Sequence, residues 1–120
     1  MRVVVTSEGE SIESRVDPRF GRAARFVLVD TESGEMSSVD NSKGVEAAQG
    51  AGVQAAEIVS RLGAECLVTG HCGPKAFRTL QAAGIEVFTG ASGTVTEALE
   101  QLRKGTLQRA TAPDVGGHWQ

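Results

Sequence analysis

The sequence predicts an α/β domain with a five-stranded mixed sheet in the order 3-2-1-4-5, strand two antiparallel, and about three helices completing a three-layer arrangement. Three observations carry this. Gly63-Ala-Glu…Thr69-Gly70 and Gly84-Ile-Glu…Thr89-Gly90 share one layout: a helix stop, a short strand, Thr-Gly, then the next helix. Successive βα units of this kind are right-handed, so strands one, four and five run parallel. Arg2-Val-Val-Val-Thr6 is a β-branched run that suits a central strand. Thr31-Glu-Ser-Gly34 reads as a hairpin turn between two strands.

In chain order, strand one (2–6) is followed by a long polar loop, Ser7 to Arg22. Ala24 to Val29 is strand two, and Glu35 to Val39 pairs back as an edge strand. Asn41 to Gln49 has no clear period and is expected to be mobile until a ligand orders it. A helix then runs from Gly52 to Leu62, with Ala55, Ala56, Val59 and Leu62 on one face and Gly63 as its stop. Cys66 to Val68 is strand four. Pro74 opens the next helix at a position where a missing N–H costs nothing. Gly84 stops that helix, and Ile85 to Phe88 is strand five. Thr94-Val-Thr-Glu97 is a capping box for a third helix, ended by Gly105. Residues 1–105 are thus expected to form one domain. Residues 106–120 are expected to form a loose tail, with no strong periodicity from Gln108 onward.

Bulk properties exclude several classes. A net charge of −3 gives no support for nucleic-acid binding. No apolar run is long enough to span a membrane, and no signal-peptide pattern follows Met1. Two cysteines cannot build a disulfide framework, so a reducing, cytoplasmic setting is expected. Charge is nevertheless polarised along the chain: Arg15, Arg19, Arg22 and Arg25 fall close together.

The predicted strand directions bring four segments to one edge: residues 7–22, 41–52, 69–75 and 89–94. This is the carboxyl end of the parallel strands, where open α/β sheets bind ligands. Val16-Asp-Pro-Arg-Phe-Gly-Arg22 fits an anion-clamping loop with Phe20 as an apolar wall. It equally fits a connection that tethers Phe20 in the core and leaves the arginines solvated. Gly50-Ala-Gly-Val-Gln-Ala55 matches the G-x-G-x-x-A dinucleotide fingerprint, but a long loop precedes it and no acidic residue follows to hold a ribose. An anion site at a helix start survives that objection. Gly70-His-Cys-Gly-Pro-Lys75 lacks the spacing and the Ser or Thr of a phosphate-binding Walker loop. His71 and Cys72 could ligate a soft or borderline metal, or form a plain turn. Cys72 at a helix start beside His71 and Lys75 favours a thiolate, whereas Cys66 reads as a buried small hydrophobe. No nucleophile elbow is present, and strands one and four lack the carboxylates that a two-metal nuclease requires.

Val16-Asp-Pro-Arg-Phe-Gly-Arg22, Gly50-Ala-Gly-Val-Gln-Ala-Ala56 and Thr69-Gly-His-Cys-Gly-Pro-Lys-Ala76 together resemble the dinitrogenase iron–molybdenum cofactor biosynthesis family over about residues 1–105. The resemblance is strongest to its orange-protein branch, which carries a molybdenum–copper sulfide cluster. It implies a ribonuclease-H-like fold without catalysis, and a carrier or scaffold for an anionic metal–sulfide cluster. That cluster would be a molybdenum–copper sulfide or, alternatively, the iron–molybdenum cofactor or a precursor. Cytoplasmic partners such as ATPases or cluster recipients follow from the same resemblance. The candidate cluster-binding residues are Arg19, Phe20, Gly21, Arg22, Asn41, Gly50, Gly52, Thr69, Gly70, His71, Cys72, Gly73 and Lys75, with His71 and Cys72 as candidate metal ligands. A different class also fits the same edge: a regulatory or interaction module that binds a partner protein or a phosphorylated metabolite.

Overall fold

The computed structural model describes residues 1–42 and 50–111. Its elements are β1 (Arg2–Ser7), β2 (Arg25–Asp30), β3 (Met36–Asp40), α1 (Ala51–Arg61), β4 (Cys66–Val68), α2 (Pro74–Ala82), β5 (Glu86–Thr89), α3 (Val95–Lys104) and β6 (Gln108–Arg109). The sheet order is β3-β2-β1-β4-β5-β6. β1, β4 and β5 are parallel neighbours, and β2 pairs antiparallel with both β1 and β3.

Strand alternation builds the three layers. Val4, Leu67 and Val87 stand in one register row across β1, β4 and β5. They pack under Ala55, Ala56 and Val59 of α1 and Phe77 and Leu80 of α2. Val3, Val5, Cys66 and Val68 face the other way and pack with Val95 and Ala98 of α3. Successive side chains of a strand point to opposite faces, so an unbroken apolar run such as Val3-Val4-Val5 serves both layers.

Two backbone features close the units as the sequence requires. Gly34 (φ 79°) allows the β2–β3 turn, in which its N–H donates to the Asp30 carbonyl at 2.8 Å. At α3 the capping box is complete. The Glu97 N–H donates to Thr94 Oγ1 at 3.1 Å, and the Thr94 N–H donates to Glu97 Oε1 at 2.8 Å. Thr94→Ala should therefore lower the unfolding free energy by about 1 kcal/mol. A urea titration with unchanged far-ultraviolet dichroism would show it.

The structure differs from the sequence expectation at the sixth strand. Residues 108–109, expected to lie in the tail, pair antiparallel with β5 in the register Phe88↔Arg109 and Thr89↔Gln108. The Ala110 N–H also donates to the Val87 carbonyl at 2.8 Å, and Arg109 pairs with Glu86 at 2.8 Å. A two-residue strand has no periodicity to read. It forms because β5 otherwise presents an unpaired edge. Of the loop from Asn41 to Gln49 that was expected to be mobile, Asn41 is buried and hydrogen-bonded, and residues 43–49 lie outside the described residues, as does the tail from residue 112.

Candidate functional site

α1 and α2 lie side by side on one face of the sheet and begin at the same edge. Gly50 precedes α1 in a left-handed conformation (φ 78°), and Pro74 occupies the first turn of α2. The first ladder bonds are Gln54 N–H to the Gly50 carbonyl (3.0 Å) and Phe77 N–H to the Gly73 carbonyl (2.9 Å). The amides before them fall outside the helical ladder. Neither helix has a side-chain cap or an acidic residue in its first turn. α3 has both. Among the described residues, no capping side chain or first-turn carboxylate offsets the positive ends of these two helices.

Between them lies an open groove of about 450 Å³, lined by Arg19, Gly21, Arg22, Ala51, Gly52, Gly73, Pro74, Lys75 and Ala76. Glycine makes this convergence possible. A Cβ on Gly21 would stand 2.8 Å from the Gly52 nitrogen, and one on Gly52 would stand 3.0 Å from the Ala76 Cβ. The arginine loop, α1 and α2 are thus in serial contact through positions that tolerate no side chain. The G-x-G spacing of Gly50 and Gly52 serves left-handed backbone and helix packing, respectively.

The arginine loop is held from beneath. Asp17 is buried, and its carboxylate accepts from the Arg19 N–H (3.1 Å), Arg19 Nε (3.3 Å) and the Ala24 N–H (3.2 Å). Thr6 Oγ1 donates to the Asp17 carbonyl at 2.7 Å, and the His71 N–H donates to the Pro18 carbonyl at 2.8 Å. Arg19 remains 62% exposed at its side chain and Lys75 is exposed, so both cations reach solvent beside the groove. Arg22 is half-buried in the groove wall.

The structure divides the candidate residues. Arg19, Gly21, Arg22, Gly52, Gly73 and Lys75 line the groove. Phe20 does not: it is 2% exposed and packs against Phe26, with ring centroids 5.9 Å apart. It tethers the loop to the core and offers no wall to a ligand. Thr69 is likewise buried, with its hydroxyl 2.9 Å from that of Thr6. Gly70 packs against Pro18. Asn41 is buried and ties the loop down, its Nδ2 donating to the carbonyls of Gly21 (3.2 Å) and Ala23 (2.8 Å).

The structure places His71 and Cys72 in different surroundings. His71 is exposed and bridges to Arg19 in a parallel register. Cys72 is 2% exposed and belongs to the core beneath the groove. Neighbours in extended backbone point to opposite sides, so the two side chains diverge. No group of three or more His, Cys, Asp or Glu is placed to hold a metal ion among the described residues. The 89–94 segment is also separate. Its helix start is consumed by the capping box and by Val95 N–H and Thr96 N–H bonds to the Ser14 and Ile12 carbonyls (both 2.9 Å).

Sequence reasoning missed Ala51, Pro74 and Ala76 as lining residues. The signal was available, since an anion at a helix start touches the first-turn positions themselves. The burial of Asp17 beneath the loop is a tertiary fact that no local pattern records.

The convergence of these three motifs, in this order and geometry, coincides with a family model, described as dinitrogenase iron-molybdenum cofactor, that matches residues 1–105. The chain belongs to the dinitrogenase iron-molybdenum cofactor family. The apo form of the orange protein from Desulfovibrio gigas is similar over 95% of this chain and 96% of that one, with 43% identity and a TM-score of 0.92. A NifB-like protein from Thermotoga is similar over 97% of this chain and 98% of its own, at 36% identity and a TM-score of 0.83. An uncharacterized protein of Methanocaldococcus jannaschii is 24% identical over 98 residues, which is 80% of this chain and 83% of that protein. Among the described residues, no helix of this family member is long and apolar enough to cross a membrane.

Cys66 lies away from the groove, at the start of β4. Burial, then the Glu86 and Glu65 carboxylates, push its thiol above the ordinary range. As pH rises through that range the unfolded thiol ionises first. Cys66 therefore contributes stability that is present below the ordinary thiol pKa and lost above it. Iodoacetamide at pH 8 should label Cys66 far more slowly in the native protein than in urea, as read by peptide mass mapping.

Proposed function

We propose that this protein is a non-catalytic carrier or scaffold for an anionic, molybdenum-containing metal–sulfide cluster, held in the groove between α1 and α2. The observation that carries the reading is the pair of uncapped helix starts facing Arg19, Arg22 and Lys75. Family membership and similarity to the orange protein support it. A molybdenum–copper sulfide cluster is the cargo we favour, and the iron–molybdenum cofactor or its precursor is the alternative. Such clusters are bulky, soft and multiply charged. They suit positive dipole ends, guanidinium groups and the apolar surface of Ala51, Pro74 and Ala76. The regulatory reading would put a phosphorylated metabolite in the same groove. In the carrier reading Cys72 supports the floor of the site as a core side chain, and His71 stands at its rim.

We further infer a ribonuclease-H-like layout from the sheet order, without nuclease chemistry. Strand residues Val3-Val4-Val5 and Cys66-Leu67-Val68 stand where clustered carboxylates would be needed. A cytoplasmic ATPase or cluster recipient would approach the same open edge. The test is anaerobic reconstitution with tetrathiomolybdate and copper. After gel filtration the protein fraction should keep a visible charge-transfer band that the reagents alone do not give. A colourless protein fraction would refute the carrier role. Displacement of the band by millimolar ATP or inorganic phosphate would favour the metabolite reading.

A further inference from the structure

A second feature of different chemistry lies on the opposite face of the sheet. There α3 alone covers the strands, leaving an open, largely apolar depression of about 610 Å³. Cys66, Met1, Phe88, Leu99 and Leu102 are among its lining residues. Cys66 Sγ and Met1 Sδ are 3.5 Å apart. Met1 is 42% exposed, and its carbonyl accepts from the Thr31 N–H at 2.9 Å and from Thr31 Oγ1 at 3.2 Å. Its backbone is thus tied to the sheet edge, while its unbranched side chain keeps the freedom to adjust. The register row Met36–Val29–Val3–Cys66 puts Met36 three strands away from Cys66. The second methionine therefore belongs to the far end of the depression and not to this sulfur pair.

We infer that Cys66 and Met1 form a two-sulfur binding site for a soft monovalent cation, Cu(I) or Ag(I). A thiolate and a thioether are the soft donors that select such ions over harder divalent ones. The lining is largely apolar, and the Glu65 and Glu86 carboxylates place negative charge near the sulfur, opposed by the smaller effect of the Met1 ammonium. That negative charge disfavours a bare thiolate but favours an arriving cation. Binding forms one bond from the cation to the Cys66 sulfur and releases the thiol proton to solvent. The Met1 thioether donates a lone pair to the same ion, and nothing is oxidised or reduced. This site is independent of the anion groove, so the failure of either reading leaves the other standing.

The chain has two methionines, so methyl-¹³C methionine labelling gives two signals, assigned with Met36→Leu. One equivalent of Ag(I) added to the reduced protein should shift the Met1 methyl, leave the Met36 methyl in place and release one proton per ion. Zn(II) should not shift Met1. Cu(I) supplied from a bicinchoninate complex should reproduce the Ag(I) shift. Cys66→Ala should abolish it, although Cys72 still offers a thiol, with the amide spectrum confirming the fold. A stationary Met1 methyl while Ag(I) is consumed would overturn the inference. So would an undiminished shift in Cys66→Ala, or an equal response to Zn(II).

Discussion

Replacing Arg19, Arg22 and Lys75 together by alanine should lower the affinity for the reconstituted molybdenum–copper sulfide cluster by about two orders of magnitude. Each cation is placed on the groove, and two of the three side chains are exposed. An exposed charge contributes at most about 1 kcal/mol against a single opposing charge. Three of them against one multivalent anion therefore supply about 3 kcal/mol, or roughly a hundredfold. Each single substitution should cost only a few-fold. The two helix starts remain in the triple variant and contribute about 0.3–1 kcal/mol each, so residual binding should persist. Raised ionic strength should weaken the wild type more than the triple variant, because exposed charges are screened within ~10 Å at 0.1 M salt. Absorbance of the retained band across a salt series gives both numbers. Equal retention by both proteins at every salt concentration would remove the cations from the site.

Gly70→Ala should be strongly destabilising. A Cβ there would lie 2.6 Å from the Pro18 carbonyl oxygen and 2.7 Å from its Cα. Both neighbours are backbone, and Pro18 is further pinned because the His71 N–H donates to that same carbonyl. Relief requires moving the whole arginine loop. The expected loss of about 3 kcal/mol lies at the upper end for overpacking. Gly90 is the control. It has φ 85° but no heavy atom within 4 Å of its built Cβ. Gly90→Ala should cost only the left-handed backbone penalty of about 1–2 kcal/mol. Urea titrations of the two variants would compare these costs directly. Because the loop carries Arg19 and Arg22, Gly70→Ala should also weaken cluster retention, and Gly90→Ala should not. Equal destabilisation by both would mean that the Gly70–Pro18 contact is not close-packed.

Much of the fold is legible in the sequence, because it rests on local rules. Gly63, Gly84 and Gly105 all adopt positive φ where the apolar stripes predict helix ends. Thr94 and Glu97 make both bonds of the capping box that their spacing predicts. The repeated βα layout implied parallel strands, and strand direction then implied the shared edge at which Arg19, Gly52 and Lys75 meet. Each inference needed only a few neighbouring residues and the handedness of the chain.

Tertiary packing decided which side chains at that edge face a ligand. Phe20 and Cys72 sit inside the motifs but point into the core, while Ala51, Pro74 and Ala76, chemically plain, form the groove. Motif membership reports that a backbone segment arrives at a place. The orientation of each residue is set by what lies beneath it. Here that is a buried Asp17 gathering the loop's amides and a core that accepts one aromatic ring and one thiol from above. The same reason accounts for β6 and for the sulfur pair of Met1 and Cys66. Both join residues distant in sequence, brought together by an unpaired sheet edge and by a face covered by one helix alone, neither of which any local pattern records.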